Sequence, residues 1–211
     1  MAVFDPVRGR ICLRVVYDGP AGAGKTTNLH RLASAFARPG DVAAPFALRE
    51  RTVYFDWMEL SAGAVGEYPI SCQVLSVPGQ LALAARRRAI LARADGIVVV
   101  CDGATAPALD RYGDLPIVVQ ANKRDRAGGL RGTPDVPVVE AIAAEGVGVV
   151  DTFVAIIGAV ARRLREDTEQ GYRIPVGKAE SLDELLASIA AVPIDAPGAA
   201  ELFLEEALAS A

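Results

Sequence analysis

Four residues at fixed spacing, Gly19, Gly24, Lys25 and Thr26, complete the pattern Gly-x4-Gly-Lys-Ser/Thr inside the stretch DGPAGAGKTTN. Residues of these types in this order can hold phosphate. Successive backbone N–H groups of such a loop turn inward and wrap an anion. The helix that follows adds the partial positive charge of its N-terminus. Lys25 reaches the β and γ oxygens of a nucleotide, and the Thr26 hydroxyl takes one Mg²⁺ position. Gly22 and Gly24 allow backbone torsions that a Cβ would forbid, and Ala21, Ala23 and Thr27 complete the cradle. The context agrees, with the apolar run ICLRVVY before the loop and HRLASAFA after it. This loop by itself does not choose between ATP and GTP.

The stretch QANKRD, Gln120 to Asp125, lies about a hundred positions later and ends an apolar run. Ligands of open α/β sheets bind at such strand ends. An Asp carboxylate there accepts two N–H bonds from guanine, N1–H and the 2-amino group, which adenine cannot supply. A site built for those donors penalises a base that lacks them by leaving a charged acceptor unpaired. Asp125 is thus the discriminating residue. Asn-Lys-x-Asp in this place resembles the guanine-specificity motif of Ras-like GTPases. The resemblance implies that the Lys123 stem would lie over the base plane and that Asn122 would tie the loops together.

A γ-phosphate sensor needs donors that meet the phosphate only when it is present. RERTVYFD, Arg49 to Asp56, and LSVPGQ, Leu75 to Gln80, supply candidates. Thr52 offers a hydroxyl to Mg²⁺ and a backbone N–H to the γ-phosphate, and Gly79 offers an N–H with no side chain in the way. Gln80 is placed to orient water for in-line attack, and Arg51 to neutralise charge on the transferred group.

With these motifs the chain resembles the MglA family of bacterial Ras-like GTPases over roughly residues 8 to 166. GPAGAGKTTN, RERTVYFDW, VPGQ, NKRD and EAIAAEGVGV carry the resemblance. It implies a GTP/GDP switch with slow intrinsic hydrolysis, commonly stimulated by a roadblock-domain partner of the MglB type. It also implies that Arg51 and Gln80 are the hydrolytic residues. Three departures from the Ras pattern stand out. Ser76 occupies the place of the Asp that holds Mg²⁺ through a water, and Asp56 is the candidate replacement. Ile142, Ala143 and Ala144 stand where Ras-like proteins carry Ser-Ala-Lys. The Ala143 N–H can still donate to guanine O6, but the serine and lysine supports are absent. Finally, only about fourteen residues, Gly103 to Pro116, join two strands that the family usually links through a full helix.

The elements that position these residues alternate. Strands are expected at Ile11–Tyr17, Thr52–Leu60, Pro69–Val77, Gly96–Asp102, Pro116–Ala121 and Val136–Ile142. The second and third of these form a hairpin. Helices are expected at Lys25–Ala37, Leu81–Ala94 and about Gly148–Glu166. The fold class is α/β: a doubly wound, mostly parallel sheet of the P-loop NTPase, Ras-like kind with shortened helical connections. This domain spans 8–170. Residues 171–211 form a helical C-terminal appendage, opened by the capping box Ser181-Leu-Asp-Glu184 and continued by a second short helix over Ala199–Ala209. Leu182, Leu185, Leu186 and Ile189 give it an apolar stripe, which must pack on the main domain, on a second copy or on a partner.

The 211 residues carry a net charge of −4, which offers no general attraction to nucleic acid or anionic membrane. The three cysteines, Cys12, Cys72 and Cys101, lie in apolar runs without CxxC spacing and read as buried thiols. No segment has the length and apolarity of a signal region or membrane span, so a cytoplasmic protein is expected. The resemblance implies as partners a guanine nucleotide, an MglB-type activating protein and an effector. Two alternatives stay open: a GTP-sensing scaffold that barely hydrolyses, and an ATP-using P-loop kinase, for which only Arg86 to Arg88 offer a dense basic group.

Overall fold

The computed structural model describes residues 2–36, 57–77, 84–102, 107–126, 130 and 136–193. Seven strands form a single sheet: β1 (Val3–Asp5), β2 (Arg10–Asp18), β3 (Trp57–Val65), β4 (Tyr68–Ser76), β5 (Gly96–Cys101), β6 (Ile117–Ala121) and β7 (Val138–Glu140). Six of them follow the spatial order β3-β4-β2-β5-β6-β7, and β1 pairs with β2 off this path. The β2–β4, β2–β5, β5–β6 and β6–β7 pairs are parallel, and β3–β4 is an antiparallel hairpin. The expected doubly wound, mostly parallel sheet is therefore present. The sheet is Ras-like in kind.

β1 lies outside the expected elements. It pairs antiparallel with Arg10–Cys12 of β2, whereas β5 pairs with β2 only from Val15 onward. The short strand thus fills the part of the β2 edge that β5 leaves open. Phe4 is held on its other side by the tail: its N–H donates to Pro175 O at 2.8 Å, and Gly177 N–H donates to Phe4 O at 3.0 Å.

All six residues of β5 are buried, as two-sided coverage of a central parallel strand requires. Alternate side chains feed two cores. On one face Leu13, Val15, Tyr17, Val98 and Val100 pack with α1 (Lys25–Phe36) and α3 (Val149–Glu169) through Leu29, Leu32, Phe153 and Ile156. On the other, Val16, Leu75, Ile97, Val99 and Val119 pack with Ile90 of α2 (Ala84–Leu91) and with Leu185 and Ile189 of α4 (Leu182–Ala190).

α4 answers the question raised by the short connections. Among the described residues, the β5–β6 link carries only a 3-10 turn, Asp110–Tyr112. α4 packs beside α2 and covers that face of the sheet instead. Its capping box is formed, with Glu184 N–H donating to Ser181 Oγ at 3.3 Å and Ser181 N–H donating to Glu184 Oε2 at 2.7 Å. The segment before it is anchored too. Glu180 Oε2 accepts from buried Arg14 at 3.0 Å, and its carbonyl accepts from Gln73 Nε2 at 2.8 Å. The expected second tail helix lies outside the described residues.

Tyr17 is fully buried, and its hydroxyl has no hydrogen-bond partner among the described residues. Burial pushes its pKa well above the ordinary value. An unpaired buried hydroxyl costs on the order of 1–3 kcal/mol. Tyr17→Phe should therefore leave the melting temperature unchanged or raise it by a few degrees, and thermal unfolding followed by circular dichroism would show which.

Candidate nucleotide site

The phosphate loop runs from the end of β2 into α1, as its flanking patterns require. Gly19 has φ 139°, and a Cβ there would collide with the Val100 carbonyl of β5. Gly24 has φ 108°, and a Cβ there would collide with the Asn122 side chain. The loop thus sits against the ends of β5 and β6 with no room for side chains at its two key glycines. Lys25 is buried, and its Nζ donates to Gly19 O and Pro20 O, each at 2.7 Å. Burial lowers its pKa; Asp18 opposes the fall and Arg87 adds to it. Thr26, next in the helix, is exposed, and Thr27 is half-buried.

Asn122 joins three segments. Its Nδ2 donates to Ala23 O of the phosphate loop at 2.8 Å, and its Oδ1 accepts from Ala143 N–H at 2.8 Å. The tie between loops expected of Asn122 is therefore present. The same bond occupies the Ala143 N–H, which had been expected to face the base. The next residue of that 3-10 turn, Ala144, lines the cleft, and its carbonyl accepts from Arg31.

Lys123 adopts φ 58°, the one left-handed torsion at a non-glycine position among the described residues. Strain of this kind marks sites where the surroundings overdetermine the backbone. Its Nζ pairs with Asp102 Oδ2 at 3.0 Å. Asp125 is exposed and 3.5 Å from Arg126 Nε. Gly22, Gly24, Thr27, Asn122, Lys123, Asp125, Ala143 and Ala144 together line a cleft of about 130 Å³. Phosphate loop, Asn-Lys-x-Asp segment and the 3-10 turn after β7 thus share one cavity at the strand ends. A larger cavity of about 570 Å³ lies elsewhere, among the starts of β5 and β6, the end of α3 and the tail.

Beneath the cleft, a buried polar relay links these loops. Asn28 Nδ2 donates to Gly24 O at 3.0 Å and to Gln120 Oε1 at 2.7 Å. Gln120 Nε2 donates to Asn28 Oδ1 and to Thr152 Oγ1, and Thr152 donates to Gly148 O at 2.6 Å. Residue types alone did not reveal this relay. The only signal is three polar residues on otherwise apolar faces.

The chain is similar to the mutual gliding-motility protein MglA of Myxococcus xanthus, with 29% identity over 180 residues, covering 72% of this chain and 92% of the relative. No family model matches. This likeness supports an MglA-like small GTPase of the Ras family. Among the described residues no helix is long and apolar enough to cross a membrane, and no group of three His, Cys, Asp or Glu side chains could hold a metal. Arg51, Thr52, Asp56, Gly79 and Gln80 lie outside the described residues.

Proposed function

We propose that this small GTPase is a molecular switch that binds GTP and GDP in the shared cleft and hydrolyses GTP with Mg²⁺. Hydrolysis is slow unless a roadblock/MglB-type partner stimulates it, and an effector reads the GTP state. One observation carries this reading: the phosphate loop and the guanine-type Asn-Lys-x-Asp segment line a single cleft, bolted together by Asn122. Lys25 and the N–H groups of Ala21 to Thr27 hold the phosphates, and Asp125 takes the base N–H pair. The Ala143 N–H is engaged by Asn122, so Ala144 is the better-placed backbone donor for the base carbonyl. Thr26 is exposed on the first turn of α1 and is a suitable hard-oxygen ligand, with Thr52 and Asp56 completing the set. Mg²⁺ held there neutralises phosphate charge.

Base choice is tested by Asp125→Asn. Removing the charged acceptor should weaken GTP binding on the order of a hundredfold and favour xanthosine nucleotides, since an acceptor matched to specific donors rejects analogues strongly. Equilibrium binding of GTP, ATP and XTP measures this, and an unchanged GTP preference would exclude guanine recognition through Asp125.

Cleavage is tested by single-turnover hydrolysis. Arg51→Ala and Gln80→Ala should each slow it by about a hundredfold or more, the scale expected of groups that stabilise transferring phosphoryl charge or orient water. Unchanged rates in both variants would leave a nucleotide-sensing scaffold as the better description.

A further inference from the structure

The residue just before the phosphate loop is a buried carboxylate. Asp18 ends β2 with no exposed surface. Its Oδ1 accepts from Gly19 N–H at 2.7 Å and from Arg87 Nε at 2.9 Å. Its Oδ2 accepts from Arg87 Nη2 at 2.7 Å and from the Tyr112 hydroxyl at 2.8 Å. Three segments therefore meet on one side chain: the phosphate loop, α2 and the shortened β5–β6 connection. α2 is the helix that follows Gln80.

Such a carboxylate is poorly suited to its neighbourhood. A buried anion at the foot of a loop that must receive another anion is unfavourable unless a counter-charge sits on it. The bidentate Arg87 guanidinium supplies that counter-charge. Burial works against its own charge, yet the Asp18 carboxylate outweighs this and raises the Arg87 pKa. Tyr112 donates to the same carboxylate, and burial followed by that negative charge holds its phenol protonated. Neither Arg87 nor Tyr112 is among the groups assigned to the nucleotide.

We propose that Arg87 is a positioning residue for nucleotide binding: it neutralises Asp18, which lets α2 and the Tyr112 turn dock on the base of the phosphate loop while the loop remains able to accept phosphates. The inference rests on the guanine-nucleotide reading. It makes Arg87 necessary because Asp18 is charged, and dispensable once that charge is gone. A purely structural clamp behaves differently, since removing both halves is then no better than removing one.

The experiment measures the affinity of the full chain for a fluorescent GDP, with melting temperatures alongside. Arg87→Met should weaken GDP binding by about tenfold or more, the cost of an uncompensated buried charge. Asp18→Asn/Arg87→Met should recover to within about threefold of wild type, a strong coupling between the two positions. Arg87→Lys keeps the charge without the fork and should lose less than Arg87→Met. A folded Arg87→Met that binds GDP as wild type does would overturn the proposal. So would a double variant that fails to fold, or that binds as weakly as Arg87→Met. If Arg87→Met itself is insoluble, the double variant and Arg87→Lys still decide. A wild-type protein that binds no guanine nucleotide rejects the guanine reading first and the inference with it.

Discussion

Deleting residues 172–211 is expected to leave a protein that aggregates rather than a trimmed but functional domain. Leu185 and Ile189 have no exposed surface and sit in the same core as Val16, Leu75, Ile97, Val99 and Val119. Burial of a large aliphatic side chain contributes about 1.5–3 kcal/mol, so these two alone contribute roughly 3–6 kcal/mol. The deletion also removes the Glu180 carboxylate from Arg14, whose side chain is only 8% exposed. It removes the acceptor of Gln73 Nε2, and the Val192 carbonyl that accepts from Arg86 Nε at 3.0 Å. β1 loses the tail backbone that holds Phe4. Whole domains are stable by about 5–15 kcal/mol, so the combined loss consumes most of that margin. The single substitution Leu185→Ala should cost about 2–5 kcal/mol by opening a cavity. Chemical denaturation of that variant, and the soluble fraction of the truncation, are the measurements. A soluble truncation with an unchanged unfolding midpoint would mean that the tail contributes nothing to the fold.

The tail also marks where sequence patterns stop being informative. The Ser181–Glu184 capping box and the apolar spacing of α4 are local, and both predict the helix. The face it covers is a matter of tertiary packing. It becomes intelligible only once the described residues of the β5–β6 link are seen to carry a 3-10 turn and no helix longer than that. Strand centres such as Gly96–Cys101 are legible because two-sided burial forces an unbroken apolar run. β1 is illegible for the opposite reason. Three residues, only Asp5 of them fully buried, show no periodicity, and the strand exists because β2 and the tail flank it.

The candidate site divides in the same way. Gly19, Gly24, Lys25, Asn122 and Asp125 stand out as candidates because the chemistry they would perform requires a fixed spacing. Ala143 shows the limit of that reasoning. A backbone donor has no side-chain signature, and its N–H is directed to Asn122. Asp18, Gln120 and Thr152 act through partners 32 to 94 positions away in sequence, and no local pattern anticipates such pairings. One signal was available: a charged residue closing an apolar strand just before an anion-binding loop calls for a counter-charge.

Gly24→Ala should be more damaging than its size suggests. At φ 108° an L side chain is strained, typically by about 1–3 kcal/mol. The added methyl would also strike the Asn122 amide. Asn122 cannot give way freely, because it holds Ala23 O on one side and Ala143 N–H on the other. Losing buried hydrogen-bond partners adds about 1–3 kcal/mol. The phosphate loop and the base-side turn would then no longer be fixed relative to each other, and nucleotide affinity should fall on the order of a hundredfold or more, since about 1.4 kcal/mol is a factor of ten. Gly22→Ala provides the contrast in the nucleotide-free protein. Its φ of 77° imposes strain, but a Cβ there meets nothing within 4 Å. Its melting temperature should therefore fall less than that of Gly24→Ala, by several degrees at about 2–4 °C per kcal/mol. Equal melting temperatures for the two variants would show that the Asn122 contact does not constrain Gly24, and that the two loops are held in register by something else.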